Sequence, residues 1–260
     1  MTNFETSINN LDLRLFEKIT TQSTDMDKAS LLACQSAVRE LVPEYSYLEI
    51  GSYLGGSIQP HLLDPRCRKI YSIDKRPLFQ TDARGYDWEY RNNSTGRMMS
   101  MLGEVAADTS KIVTLDGETS SLERSLVEDR IDLCFIDGEH TDASVGPDFR
   151  FCLDVLAERG AIVFHDSQII YNGIASALRY LEDSAIEFRA YVLPHTVFVV
   201  EIGEFPMYLN ARVAGMLLEN RHSYLFGLQD NNHFRQFATR FPFGLLRKWM
   251  LKFRGGNVSE

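Results

Sequence analysis

The sequence predicts an α/β protein: a doubly wound, mostly parallel sheet of seven strands, a C-terminal antiparallel hairpin, and helical extensions at both ends. Three observations predict it. Short β-rich runs alternate with longer helix-compatible runs through the middle of the chain. Those β-rich runs are almost continuously apolar, as strands buried on both faces are. Two more close the series with only Leu193-Pro194-His195 between them, too short for a parallel crossover of about a dozen residues.

Taken in order, Tyr45–Ile50, Lys69–Ile73, Lys111–Leu115, Ile131–Ile136 and Ala161–His165 read as the parallel strands. Helices are expected near Ser57–Leu63, Ser94–Ala107, Ser121–Val127 and Pro147–Leu156. Pro147 suits a first helical turn, where its missing N–H costs nothing. A helix near Ile174–Glu182 leads to the hairpin strands Phe188–Val192 and Thr196–Ile202. Residues 1–40 read as a helical extension or lid, 41–203 as the ligand-binding domain and 204–260 as a helical appendage.

At 260 residues, 44% hydrophobic and 24% charged, the composition excludes a disordered chain, a collagen-like fibre and a disulfide-stapled miniprotein. The 27 Lys and Arg against 36 Asp and Glu leave a net charge of −9, so no nucleic acid partner is expected. Cys34, Cys67, Cys134 and Cys152 are scattered, with no C-x-x-C spacing, so a reduced, cytoplasmic setting is expected. The start, MTNFETSINN, has neither the basic cluster nor the apolar run of a signal peptide. No apolar stretch reaches the roughly 18 residues that a membrane span needs.

In an open α/β sheet, ligands bind beyond the carboxyl ends of the strands where the strand order reverses. The loop Gly51-Ser52-Tyr53-Leu54-Gly55-Gly56 follows the first strand and lets the backbone turn sharply beside a ligand. Its G-x-x-x-G-G spacing differs from the dinucleotide G-x-G-x-x-G. Asp74 ends the second strand, where a carboxylate accepts ribose hydroxyls. Asp116 follows the third and is placed to reach an adenine amino group, although Asp116-Gly117 is also ordinary turn chemistry. Loop and acid together fit NAD as well as S-adenosylmethionine.

The fourth strand runs into Asp137-Gly138-Glu139-His140, the fifth into His165-Asp166-Ser167. Neighbouring parallel strands lie about 4.8 Å apart, so Asp137 and Asp166 can converge. Two carboxylates in a partly dry cleft repel unless a cation or a shared proton lies between them, and Mg²⁺ fits. His140 has the pKa to take a proton from a hydroxyl that a metal has acidified. His140 and His165, each beside an Asp at a strand end, read as functional. His61, His195, His222 and His233 read as surface or capping residues.

From about residue 45 to 202 the chain carries YLEIGSYLGGS, IYSID, FIDGEH and GAIVFHD in order. In this it resembles the class I S-adenosylmethionine-dependent methyltransferases, and more narrowly the metal-dependent sugar O-methyltransferases of the macrocin and mycinamicin group. The resemblance implies that residues 41–203 bind S-adenosylmethionine. It also implies that the methyl group passes in line from the sulfonium to a hydroxyl of a sugar, glycan or glycosylated metabolite. By position it implies Glu49, Gly51 and Ser52 at the methionine end, Asp74 at the ribose and Asp116 near the adenine. Asp137 and Asp166 match metal ligands, Asp137 is also a catalytic position, and His140 matches the general base. Position 165 departs, because those relatives carry an acidic residue there. His165 is therefore expected either as a metal ligand that favours Mn²⁺ over Mg²⁺ or outside the metal shell.

Residues 240–260 carry five basic and one acidic residue, net +4, against −13 for the rest. As a helix, Leu245, Leu246, Trp249, Met250 and Phe253 share one face, with Arg247, Lys248 and Lys252 on another. Such a tail, 240–254, is expected either on the anionic inner face of a membrane or docked on protein, its own or a second subunit of a homo-oligomer. Lys18–Asp25 is rich in hydroxyls and reads as a lid or a helix cap, and 92–97 as a polar loop near the acceptor. Two other functions are weighed: an NAD-dependent oxidoreductase and a non-catalytic binding module. The missing G-x-G-x-x-G and the lack of a Tyr-x-x-x-Lys pair count against the first. The Asp137, His140 and Asp166 cluster counts against the second.

Overall fold

The computed structural model describes residues 3–229, 241–246 and 249. Two helices, α1 (Asn3–Asn9) and α2 (Asp25–Leu41), precede the sheet. A capping box starts α2: the Thr24 hydroxyl accepts from Asp27 N, and the Asp27 carboxylate accepts from Thr24 N. The chain continues through β1 (Tyr45–Ile50), α3 (Gln59–Leu63), β2 (Cys67–Asp74), a ribbon of β3 (Phe79–Thr81) and β4 (Asp87–Glu89), α4 (Thr95–Val105) and β5 (Ile112–Asp116). Then come β6 (Ile131–Ile136), α5 (Asp142–Val155), β7 (Leu156–Phe164), α6 (Tyr171–Asp183), β8 (Phe188–Val192), β9 (Phe198–Ile202) and α7 (Ala211–Leu217).

The sheet order is β5-β2-β1-β6-β7-β9-β8, and β9 runs antiparallel to both its neighbours. Seven strands, mostly parallel, with a closing hairpin is the architecture expected. Two expected helices differ. Ser121–Val127 forms only a single 3-10 turn, Arg124–Leu126. The helix α5 starts earlier than expected because the Thr141 hydroxyl caps Ser144 N, which leaves Pro147 inside the helix and not in its first turn. The β3–β4 ribbon has no counterpart in the sequence expectation.

Helices cover both faces of the sheet. On one, Ala37, Leu62, Met98 and Val213 pack against Tyr47, Leu133, Phe135 and Val163. On the other, Phe149, Cys152, Ile174 and Leu181 pack against Leu48, Ile73, Ile136 and Ile162. Each fully buried aliphatic or Phe side chain contributes about 1.5–3 kcal/mol. All four cysteines are free and buried. His61 is also buried, not at the surface: it stacks on Tyr47 at 3.7 Å and bonds Tyr45 Oη at 2.9 Å. Most of segment 240–254 lies outside the described residues, as does His233; within it Phe241, Leu245, Leu246 and Trp249 are exposed. Among the described residues no helix is long and apolar enough to cross a membrane.

The strand order reverses between β1 and β6, and there the backbones come close. Gly51 leaves β1 with φ of 90°, and a Cβ on it would lie 2.0 Å from the Asp137 carbonyl oxygen. Only glycine fits a positive φ and such an approach together. Asp137 N donates to Ile50 O at 2.9 Å and His165 N to Ile136 O at 3.0 Å, so the ladder runs one residue past β6 and β7. Gly51, Asp137 and His165 thus follow three adjacent strands at the same edge.

The Gly51→Ala protein is expected to lose about 4 kcal/mol or more, because the obstacle is backbone and cannot move aside. Gly96→Ala is the control, since a Cβ there meets open space. Urea unfolding checks it, and equal midpoints for the two variants would contradict the argument.

Candidate active site

A cleft of about 310 Å³ opens at the carboxyl ends of β1, β2 and β6. Gly51 and Ser52 form part of its wall, and Ser52 Oγ is buried without a hydrogen bond. Asp74 also lines it, accepting from Tyr53 N at 2.7 Å and Arg76 N at 2.6 Å. Glu49 lies beneath this wall, fully buried, and accepts from Tyr47 Oη at 2.6 Å and Ser57 Oγ at 2.7 Å. Burial pushes its carboxyl up to about 7, against the pull of those two hydroxyls.

Asp116 turns away from the cleft toward Arg76 Nε, at 3.3 Å, and the Thr95 hydroxyl. The wall on that side is instead made by Thr119 and Asp148, whose side chains bond at 2.5 Å. Burial pushes Asp148 up to about 6. Sequence reasoning missed this pair, because Asp148 lies inside a helix and no motif marks it. Thr20, Thr21, Gln22 and Ser23 line the cleft directly ahead of α2, so the hydroxyl-rich run both caps the helix and walls the site.

The β3–β4 ribbon folds back over the same edge. Gln80 Nε2 donates to Gly138 O at 3.3 Å, and Ala83 N donates to His140 O at 2.8 Å. The ribbon therefore holds the loop that carries His140. Tyr90, just after β4, meets Tyr53 edge-to-face at 5.2 Å, and both line the cleft. Asn93 lines it too and accepts from Arg76 Nη1 at 3.2 Å.

Asp137, His140 and Asp166 each offer a donor atom within 4.8 Å of the others. His140 Nε2 lies 3.4 Å from Asp137 Oδ1 and 3.3 Å from Asp166 Oδ2. Asp166 reaches the point from a left-handed backbone, φ 49°, a conformation that costs about 1–2 kcal/mol. His165 sits behind the pair, with Nδ1 3.1 Å from Asp137 Oδ1 and 3.3 Å from Asp166 Oδ2. Burial alone would raise the Asp137 carboxyl, but His165 and His140 outweigh it and hold Asp137 at about 2. Burial likewise opposes the His165 imidazolium, and Asp137 and Asp166 overcome it, raising His165 well above the usual range.

These residues fit a divalent cation. Two carboxylates face one point, and both nitrogens of the buried His165 ring lack a hydrogen bond of proper angle. His195 is half-buried, not at the surface: its Nδ1 is 2.9 Å from Asp27 Oδ2, the oxygen that His165 Nε2 approaches to 3.7 Å. His222 is exposed, 3.6 Å from Glu219.

Residues 48–167, which hold β1, the glycine turn, Asp137, His140 and Asp166, match the family model described as a methyltransferase domain. Over these residues, just under half of its length, the chain resembles a methyltransferase domain. No curated protein matches the sequence. Among solved structures, the fold is similar to apo CalS11, described as a TDP-rhamnose 3′-O-methyltransferase of calicheamicin biosynthesis. The TM-score is 0.52 at 13% identity, over 78% of this chain and 88% of that one. A second CalS11 structure gives 0.50 at 14%, over 78% and 95%. MycE methyltransferase from the mycinamycin pathway, in complex with Mg and SAH, gives 0.48 at 17%, over 77% and 55%. The match over residues 48–167 favours methyl transfer over NAD-dependent hydride transfer.

The raised Glu49 carboxyl makes a pH test. Between its ordinary value of 4.5 and about 7 the folded protein binds a proton that the unfolded chain releases, so stability falls as pH rises. Glu49→Gln is expected to be more stable than the parent by about 3 kcal/mol above pH 7, with the gap closing below about pH 4.5. Urea titrations at pH 4.5 and 8 check it; a gap independent of pH would contradict it.

Proposed function

We propose that the protein is an S-adenosylmethionine-dependent O-methyltransferase, assisted by a divalent cation, acting on a hydroxyl of a sugar or glycosylated metabolite. The convergence of Asp137, His140 and Asp166 beside the glycine turn carries this reading. S-adenosylmethionine supplies a methyl group on a cationic sulfur, and a divalent cation lowers the pKa of a hydroxyl bound to it. Asp137 and Asp166 are the residues to hold the cation. Gly51 and Ser52 receive the methionine end of the cofactor, and Asp74 accepts its ribose hydroxyls. Thr119 and Asp148 take the adenine end in place of Asp116, which is turned to Arg76.

His140 would take the proton from the acceptor hydroxyl at Nε2 as the oxygen–carbon bond forms and the sulfur–carbon bond breaks, the electron pair staying on the sulfur. It must be neutral to do so. Burial disfavours its charged form, but Asp137 and Asp166 raise its pKa until their own charge is compensated. The sugar acceptor rests on the FIDGEH and FHD motifs. It agrees with the sugar substrate in the description of CalS11. A vicinal diol would also suit two carboxylates that leave open positions on one cation.

Two outcomes are expected. S-adenosylhomocysteine at about 100 times its dissociation constant stabilises the fold by about 2.7 kcal/mol, and NAD does not. Thermal unfolding with each ligand checks it, and a shift with NAD alone would sink the proposal. His140→Ala lowers turnover about 100- to 10,000-fold at unchanged cofactor affinity. Transfer of labelled methyl from S-adenosylmethionine to a panel of glycosides, with calorimetry for the cofactor, measures both; wild-type turnover removes His140 from the base role.

A further inference from the structure

His165 is the most enclosed ring of the site, 6% exposed at the side chain, and carboxylates flank it on two sides. Toward the cleft, Nδ1 faces Asp137 Oδ1 at 3.1 Å and Asp166 Oδ2 at 3.3 Å. Away from it, Nε2 faces Asp27 Oδ2 at 3.7 Å, within ion-pair reach but longer than a hydrogen bond. Neither nitrogen has a hydrogen bond of proper angle, which is rare for a buried ring. The separations on the Nδ1 side have another meaning. Ligands about 2.1 Å from a six-coordinate ion sit about 3 Å from their neighbours.

Asp27 comes from the first turn of α2, far from this site in sequence, and its side chain is 1% exposed. It is firmly held. Oδ1 accepts from Thr196 N at 3.0 Å and Thr196 Oγ1 at 2.8 Å; Oδ2 accepts from Thr24 Oγ1 at 2.6 Å and lies 2.9 Å from His195 Nδ1, so it stands between two imidazoles, the nearer one His195. A metal-bound imidazole ordinarily turns its other nitrogen to a carboxylate, which fixes the ring and its tautomer. Asp27 is the carboxylate in that position here.

We propose that His165 ligates the cation through Nδ1, and that Asp27 is the positioning residue that holds the ring from the Nε2 side. This rests on the reading of Asp137 and Asp166 as cation ligands. It leaves His140, on the cleft side, to handle the proton. An imidazole among the ligands turns the site away from Mg²⁺, which prefers oxygen, toward a first-row transition ion such as Mn²⁺. It also makes α2 part of the metal site, one turn beyond the residues Thr20–Ser23 that line the cleft.

The test uses the full chain, stripped with a chelator and titrated with Mn²⁺ while electron paramagnetic resonance counts free ion. Pulsed measurements then read nitrogen coupled to the bound ion. One bound Mn²⁺ per chain is expected, with one coupled imidazole nitrogen, displaced only by Mg²⁺ in at least about tenfold excess. His165→Gln loses the coupling and His140→Ala keeps it. Asp27→Asn weakens Mn²⁺ binding about 10- to 100-fold, with S-adenosylhomocysteine affinity, measured without metal, unchanged. If Asp27→Asn fails to fold, Thr196→Val, which removes one donor that fixes Asp27, is expected to weaken Mn²⁺ in the same direction by a smaller factor.

Coupling that survives in His165→Gln, or that disappears in His140→Ala, overturns the proposal. So do unchanged Mn²⁺ affinity in the Asp27 or Thr196 variant and displacement by equal Mg²⁺. A chain that binds S-adenosylhomocysteine but no Mn²⁺ also overturns it while leaving the methyltransferase reading in place. Failure to bind S-adenosylhomocysteine sinks that reading instead.

Discussion

The carbonyl of Asp137 passes where the side chain of residue 51 would begin, and the site depends on that crossing. With no side chain at 51, β1 and β6 remain paired to their last residues, so the glycine turn and Asp137 stand at one edge. Pairing then carries β7 to the same edge, which delivers His165 and Asp166. The cleft wall and the acidic point are thus joined by main chain, the least adjustable part of the molecule. A sheet buried on both faces resists shear, so the spacing between them is set before any ligand arrives.

Charge is the second constraint. Asp27, Asp137, Asp166, His140 and His165 gather where water has largely been excluded. Isolated carboxylates there would take up protons, as Glu49 and Asp148 nearly do. Asp137 stays ionised because two imidazoles face it, and His165 because carboxylates face it on both sides. The cluster is therefore a mutually dependent set. Removing one member leaves another buried and unpaired, which costs about 3–5 kcal/mol, more than any single surface ion pair is worth.

Two peripheral elements adapt a common sheet to a particular site. The first turn of α2 sends Asp27 behind His165 while the residues ahead of it wall the cleft. The β3–β4 ribbon grips the loop of Gly138 and His140 by side chain and backbone, and a Lys75–Glu139 ion pair fastens that loop from the other side. The turn of the ribbon is itself locked by Asp82, which accepts from Arg84 N, Tyr86 N and Trp88 Nε1. Both elements bear on where His140 and His165 stand.

Much of this was legible in the sequence. Tyr45–Ile50, Ile131–Ile136 and Phe188–Val192 are strands at the residues expected, because an apolar β-branched and aromatic run bounded by turn residues is a local signal. The meeting of Asp137 with Asp166 was legible too, since strand ends at one edge of a parallel sheet follow from topology. The ribbon was not, because strands of three residues carry too little periodicity. Pro147 inside α5 was misplaced because the Thr141 cap, a local bond, competes with a proline rule that only ranks positions. The sequence by itself determined the parallel strands, the glycine turn and the residue types at each strand end, all set by short-range pattern. Tertiary structure alone decided that Asp116 faces Arg76, that Glu49 lies under the wall and that Asp27 backs His165. Those are choices of partner through space, made by packing between segments that no spacing along the chain relates.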